Sequence, residues 1–332
     1  MTLAIEAEGL VKRFGRTPAL DGADLAVPAG SVLALLGPNG SGKTTTVRIL
    51  ATLLRSDAGR AAVGGYDVTR RPMAVRAMIG LTSQSVTVDE QLTGRENLEL
   101  FGSLRGLGAA ERRARAAELL ERVELSDSAD RRAKTYSGGM RRRLDLAMSL
   151  IGEPRLLFLD EPTTGLDPRS RLGMWAVIRK LVADGTTVLL TTQYLEEADH
   201  LADDIVVLDH GRVIAQGTSD QLKAHAGGQV LEVRPAAPGD LEVTARVLAH
   251  IAGGHPAVDA DTRLVSVPVD DAGLLAETVR RLDAAAVGIA DLALRRPSLD
   301  DVFLRLTGHR AEEAELAITT GSAAAEPQRR TA

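Results

Sequence analysis

The chain contains no cysteine, and aromatic residues make up only 2% of it. Without cysteine, disulfides and cysteine-ligated zinc are excluded, which fits a reducing compartment. No apolar run approaches the roughly 18–20 residues that cross a bilayer as a helix, so the chain is not expected to form a membrane channel itself. The first residues, MTLAIEAEGL, have no basic flank and no long apolar core, and are not expected to act as a signal peptide. Lysine is scarce: five of the 40 basic residues, at positions 12, 43, 134, 180 and 223. That skew assigns no function to the arginines as a class, but it makes Lys43 stand out. Histidine is missing from the first 199 residues; the six present are at 200, 210, 225, 250, 255 and 309.

What remains is an ordinary globular composition, 44% hydrophobic and 26% charged over 332 residues, enough chain for about two domains. A net charge of −5 argues against a general nucleic-acid partner. Short apolar runs, at 4–10, 31–36, 78–82, 156–160, 187–191 and 205–209, read as strands. They alternate with helical patterns at 44–51, 95–104, 109–123, 138–151, 168–183 and 194–202. That alternation predicts an α/β fold with a mainly parallel sheet, whose ligands bind at the carboxyl ends of its strands. Beyond Gly227–Gly228 the pattern changes. Strands at 230–234, 264–269 and 287–294 and helices at 241–251 and 274–282 predict a small α/β appendage over 229–308. Leu299, Val302, Phe303 and Leu306 fall on one helical face. The segment 309–332, rich in Ala, Glu, Thr and Arg, is expected to be disordered.

The stretch GPNGSGKTT follows the apolar strand SVLALL and opens a helix. Backbone N–H groups of such a loop, with the helix N-terminus behind them, stabilise negative charge at one point. Gly37, Gly40 and Gly42 permit close approach to a phosphate, and Pro38, Asn39, Ser41 and Thr45 complete the loop. Lys43 meets the β- and γ-phosphates, and the Thr44 hydroxyl can ligate Mg²⁺. A second apolar strand, LLFLD, ends in two carboxylates. Asp160 at its tip can hold Mg²⁺ through water, and Glu161 points elsewhere and can polarise an attacking water.

Ahead of that strand stands YSGGMRRR, in which Ser137, Gly138, Gly139 and Met140 open another helix. This is either a plain N-cap and turn or a second anion cradle. One ATP does not need two cradles from the same chain. As a cradle it would serve a head-to-tail dimer, in which Ser137–Gly139 of one subunit clamp the γ-phosphate held by the other's Lys43.

In the order Phe14, GPNGSGKTT, Gln84, YSGGM, LLFLDEP, TGLD, the first 225 or so residues resemble the nucleotide-binding subunit of an ABC transporter. RRPSLDDVFLRLTG (295–308), together with TTQYLEEAD, resembles the daunorubicin/doxorubicin-type drug-resistance exporters, an ABC-2-like efflux group. The resemblance implies a P-loop ABC-type nucleotide-binding domain over 1–225, with an antiparallel β part and a helical subdomain at about 85–150. It implies an ATPase using ATP and Mg²⁺, paired as a homodimer on a separate integral-membrane permease at the cytoplasmic face of the cell membrane. Phe14 would stack on adenine. Gln84 would reach the metal and the attacking water, and would begin the segment that reports to the membrane subunit. Asp167, in TGLD, would sense the partner's site, and it can equally cap the helix that starts at Pro168.

The resemblance departs at one point. Family members place a histidine after the strand at 187–192; here the residue is Gln193. His200 lies seven residues further along the helix, about 10 Å away by helical rise. A glutamine amide can donate to a γ-phosphate oxygen and accept from water, but carries no proton or positive charge near neutral pH. Slow hydrolysis is therefore expected, with water polarised by Glu161 and positioned by Gln193. A soluble ABC ATPase acting on DNA or ribosomes would carry a second cassette or an insertion absent here. A P-loop kinase or GTPase would not need YSGGM.

Overall fold

The computed structural model describes residues 2–225, 229–269, 273–295 and 298–307, with the backbone alone for 225 and 304–307. It divides into two compact units, Met1–Thr218 and a second that begins at Ser219. The expected tail from 309, residues 296, 297 and 308 of the C-terminal motif and the side chain of Leu306 all lie outside the described residues.

In chain order the first unit runs β1 (Leu3–Phe14), β2 (Thr17–Pro28), β3 (Val32–Leu36), α1 (Lys43–Leu50), β4 (Ala58–Val63), β5 (Tyr66–Asp67), α2 (Pro72–Met78) and β6 (Ile79–Thr82). It continues with α3 (Gly94–Leu104), α4 (Ala109–Arg122), α5 (Gly138–Ser149), β7 (Leu156–Asp160), α6 (Pro168–Ala183), β8 (Thr187–Thr192), α7 (Leu195–Leu201), β9 (Asp204–Asp209) and β10 (Arg212–Gly217). A six-stranded sheet has the order β10-β9-β3-β8-β7-β6, parallel except for β10 at its edge. Its inner strands β3, β7 and β8 are buried at every residue, as strands covered on both faces must be.

A separate antiparallel sheet, β2-β1-β4-β5, packs against it. One apolar cluster joins the two sheets: Ile5, Leu10, Leu20 and Val27 from the antiparallel layer meet Leu33, Leu35, Phe158 and Leu189 from the parallel one, with Val47 and Leu50 of α1 between. Sequence periodicity anticipated the parallel strands but not β2, β4, β5 or β10. β2 carries Gly22 and two aspartates, and its pairing with β1 shifts register repeatedly.

Helices α3 to α5 form the helical part of the unit. Thr93 and Glu96 close a reciprocal cap at the start of α3: Thr93 Oγ1 accepts from the Glu96 N–H at 3.1 Å, and Glu96 Oε2 accepts from the Thr93 N–H at 2.8 Å. In α4, Ala116, Leu119 and Leu120 are buried, as is Val123 just past its end. The arginines between them point outward or pair with neighbours, for instance Arg115 with Glu118. They form a solvated face, not a basic patch.

The second unit comprises α8 (Ser219–His225), β11 (Gln229–Pro235), α9 (Leu241–Ala252), β12 (Ala257–Asp259), β13 (Leu264–Val269), α10 (Leu274–Ala284), β14 (Ile289–Arg295) and α11 (Leu299–Thr307). Its sheet, β12-β13-β11-β14, is antiparallel throughout. Leu231, Val233, Val265 and Val267 pack there against Leu248 of α9 and Leu282 of α10.

Back in the first unit, one buried carboxylate ties three elements together. Glu197 Oε1 in α7 accepts from the Thr163 hydroxyl at 2.8 Å and from the Trp175 indole N–H of α6 at 3.0 Å. Burial pushes this carboxyl above the usual glutamate range, and donors on Thr192, Thr163 and Trp175 act in the opposite direction. Trp175→Phe removes one donor from a buried acceptor and some ring volume, and should cost about 1–3 kcal/mol. Urea unfolding followed by circular dichroism measures it, since the substitution removes the chain's one tryptophan.

Candidate phosphate-binding and hydrolytic site

Strand register brings the candidate residues to one level. Leu36 of β3 lies beside Thr192 of β8, and Asp160 of β7 lies beside Thr191. The residues one step past these tips are Gly37, Gln193 and Glu161. The Gly37 N–H donates to Thr192 O at 3.3 Å, and the Glu161 N–H donates to Thr191 O at 3.1 Å. Three apolar strands therefore deliver a loop, an amide and a carboxylate to the same edge of the sheet.

The loop from Gly37 to Thr45 is shaped by what surrounds it. Gly42 has φ +112°, and a Cβ there would stand 2.5 Å from Ala19 O, so a side chain is excluded by conformation and by space. That contact puts Ala19 of β2 against the loop, and Phe14, at the end of β1, pairs with Thr17 at the start of the same strand. Phe14 is 54% exposed, with Lys12 Nζ 5.8 Å from its ring centroid. Lys43 is only 4% exposed; its ammonium donates to Gly37 O at 2.7 Å and Pro38 O at 3.0 Å. Burial lowers its pKa below the usual lysine range, while the carboxylates of Glu161 and Asp160 push it back up. The Ser41 hydroxyl is buried with no hydrogen-bond partner. A buried hydroxyl left without a partner in a loop of this type suits a phosphate oxygen.

Asp160, 4% exposed, accepts at Oδ1 from the Thr44 hydroxyl at 3.0 Å and the Thr191 hydroxyl at 2.6 Å. A hydroxyl beside a carboxylate at the head of a phosphate loop is a hard-oxygen donor set, and fits Mg²⁺. Glu161, 7% exposed, has φ +50°, a left-handed backbone rare for a residue with a side chain. Its Oε1 stands 3.8 Å from Lys43 Nζ, and its Oε2 accepts from the Thr164 hydroxyl at 3.3 Å. Gln193 is partly exposed, and its side chain makes no hydrogen bond among the described residues. His200, further along α7, stacks on Trp175 with ring centroids 4.8 Å apart, away from the strand tips. Gln84 is exposed on the segment after β6, its side chain also without an internal hydrogen bond.

The remaining candidates gather at a different place. Ser137 caps α5, its Oγ accepting from the Met140 N–H at 3.2 Å, and Gly138 has open space around it. A Cβ on Gly139 would stand 2.6 Å from Ser170 Oγ, so α5 and α6 touch at their starts. Asp167 caps α6, taking the Ser170 N–H at 3.0 Å and the Ser170 hydroxyl at 2.6 Å, which hold its carboxyl below the ordinary aspartate range. The N-cap roles anticipated for Ser137 and Asp167 are thus present. Among the described residues, no hydrogen bond or ion pair joins Ser137–Met140 to the loop at Gly37–Thr45.

Motif reading passed over Arg142, which is 5% exposed within α5. Its Nε donates to Pro162 O at 3.0 Å; Nη1 donates to Ser83 O at 2.6 Å and Gln84 O at 3.3 Å; Nη2 donates to Asp160 O at 3.0 Å and Glu161 O at 2.7 Å. The available signal was spacing: Gly139, Arg142 and Leu146 share one helical face, so an arginine stands in line with core positions.

The ABC transporter family profile matches residues 20–164. The chain is 58% identical over 313 residues to a daunorubicin resistance ATP-binding protein of Streptomyces coeruleorubidus, covering 94% of this chain and 97% of the relative. It is 52% identical over 312 residues to the daunorubicin/doxorubicin resistance ATP-binding protein of Streptomyces peucetius, covering 94% of each. Among solved structures, a dimeric ATP-binding cassette in a post-hydrolysis state, bound to ADP and Pi, is similar with a TM-score of 0.59 and 26% identity. That likeness covers 64% of this chain and 98% of the other. Near full-length identity to the resistance proteins and a cassette fold with its phosphate loop agree: the chain belongs to the ATP-binding subunits of ABC transporters, in the daunorubicin/doxorubicin resistance family, and is an ATPase.

Proposed function

We propose that this ATPase powers efflux of a drug or similar hydrophobic compound through a separately encoded integral-membrane permease. It would dock peripherally at the cytoplasmic face of the membrane and work as a head-to-tail homodimer that closes on ATP. The convergence of Lys43, Asp160 and Glu161 at one set of strand tips carries the hydrolytic part of this reading. Export follows from the resistance activity named for the relatives. No helix among the described residues is long and apolar enough to cross a membrane, and in this reading a separate permease supplies the route for cargo.

In this reading Lys43 and main-chain N–H groups of the loop between Asn39 and Thr45 bind the β- and γ-phosphates, and Phe14 packs on adenine. Mg²⁺, which supplies charge neutralisation on the phosphates, would be held by Thr44, Asp160 and Gln84. Glu161 accepts a proton from the attacking water, at a position fixed by its Thr191 contacts. Gln193 donates its amide N–H to the γ-phosphate and accepts from the water. Ser137, Gly138, Gly139 and Met140, with Asp167, face the partner's nucleotide. Residues 229–308 form an accessory domain whose part in assembly is open to truncation after Gly228.

Glu161→Gln keeps the shape and removes the base, so kcat should fall by about 100-fold or more, and ATP should hold the variant as a dimer in light scattering. A variant that stays monomeric with ATP and hydrolyses normally would sink the sandwich mechanism.

Gln193→Ala loses a hydrogen bond to a charged group, about 1.5 kcal/mol or more, and should lower kcat by roughly tenfold. Gln193→His should retain activity and introduce a titration between about pH 5 and 8 into the kcat profile. Steady-state ATPase rates across pH check both; an Ala variant at the parent rate would remove Gln193 from the site.

A further inference from the structure

A guanidinium has five N–H donors and no acceptor. In Arg142 all five end on main-chain carbonyls, those of Ser83, Gln84, Asp160, Glu161 and Pro162. These carbonyls come from two segments far apart in sequence. One holds Gln84 after β6; the other holds the two carboxylate residues at the tip of β7. Asp145, one turn further along α5, adds a second hold on the Gln84 segment: its Oδ1 accepts from the Thr87 N–H at 3.0 Å and the Thr87 hydroxyl at 2.6 Å. The other end of α5 is pinned as well, through Gly139 against Ser170, whose hydroxyl bonds Asp167. The stretch from Pro162 to Ser170 is therefore attached to α5 at both ends.

Arg142 lies five residues from Ser137, about 7–8 Å along a helix whose hydrogen bonds resist stretching. A shift of the backbone at Gln84 or Glu161 reaches the guanidinium directly, and α5 carries it to its own first turn. We propose that Arg142 is a positioning residue that couples this subunit's Gln84 and Glu161 to its own Ser137–Gly139 end. The cradle offered to the partner's ATP is then set by the state of the subunit's own site. The inference rests on the reading of Ser137–Gly139 as that cradle. Lysine has three donors on a rotatable head and cannot serve five fixed carbonyls at once, so Arg142→Lys keeps the charge and breaks the link.

The test uses the full chain and MgATP. In the otherwise unaltered protein, Arg142→Lys should lower kcat by about 10–100-fold, the scale of a small misplacement of reacting groups. KM and the Kd for MgATP in equilibrium dialysis should change far less than kcat, because the phosphate loop is untouched and Thr44 still meets the Asp160 carboxylate. In the Glu161→Gln background, adding Arg142→Lys should abolish the ATP-dependent dimer in light scattering while each subunit still binds MgATP. A parent-like kcat and a parent-like dimer would overturn the inference. If Arg142→Lys does not fold, Thr87→Val decides. It alters an exposed residue and loosens only the Asp145 hold, so kcat should fall by about threefold with Kd unchanged; parent values there overturn the inference too. Should Glu161→Gln alone fail to dimerise with ATP, the head-to-tail reading falls and this inference falls with it. A dimer lost only on adding Arg142→Lys belongs to the coupling itself.

Discussion

Three ionisable side chains, Lys43, Asp160 and Glu161, lie almost wholly out of solvent at one end of the parallel sheet. An isolated charge so placed costs several kcal/mol or more, and persists only when its neighbours compensate. Compensation here depends on alignment. Asp160 meets two hydroxyls, Thr44 from α1 and Thr191 from β8, only because β7 and β8 end level with each other. Lys43 reaches Glu161 and two loop carbonyls only because β3 ends beside them. A slip of one residue in β7 would turn Asp160 to the opposite face and strand a buried carboxylate. The register of three strands is thus the condition under which the charges can be present at all.

Loops beyond strand ends lack ladder hydrogen bonds, and this fold replaces them with buried side chains. Arg142 satisfies carbonyls on both the 83–84 and 160–162 segments. Glu197 joins Thr163 to Trp175, so the segment after Glu161 is held from α7 and α6 as well as α5. Such over-determination explains how Glu161 keeps a left-handed φ, which costs of the order of 1–3 kcal/mol where nothing else fixes it. Its N–H is also shared between the carbonyl and hydroxyl of Thr191. The carboxylate is consequently aimed by backbone geometry as well as by its own rotamer.

Much of this was legible in the sequence, and unevenly. Apolar strands ending in GPNGSGKTT and DE can be read because both the run and its polar end are local. The antiparallel layer is harder. β2 does alternate buried and exposed from Ala23 to Val27, yet Gly22 and Asp21 break the pattern, and β5 is two residues long. Arg142 was hidden for another reason. In a run of three arginines nothing local distinguishes the buried one, and its acceptors are carbonyls some 20 and 60 residues away. Ser137 and Asp167 carried two meanings in the sequence. A cap occupies the side chain in cis without deciding what the helix N-terminus faces in trans, so both meanings survive.

Charge accounting gives Gln193 its significance. Among the described residues, Lys43 is the cation at the loop, facing Asp160 and Glu161, while the Arg142 guanidinium lies behind them and is spent on main-chain carbonyls. Families with histidine after β8 can add a second positive group there; Gln193 adds only a dipole. His200 cannot substitute, since it leans on Trp175. Within one chain, the positive ends left to meet a triphosphate are the main-chain N–H groups of the loop and the start of α1, helped by the metal that Thr44 and Asp160 suit. The start of α5, free of acidic residues in its first turn and with open space at Gly138, is a further positive end that its own loop does not engage. In the proposed head-to-tail dimer, a site short of an imidazolium would depend more heavily on the helix N-terminus that the second subunit brings to it.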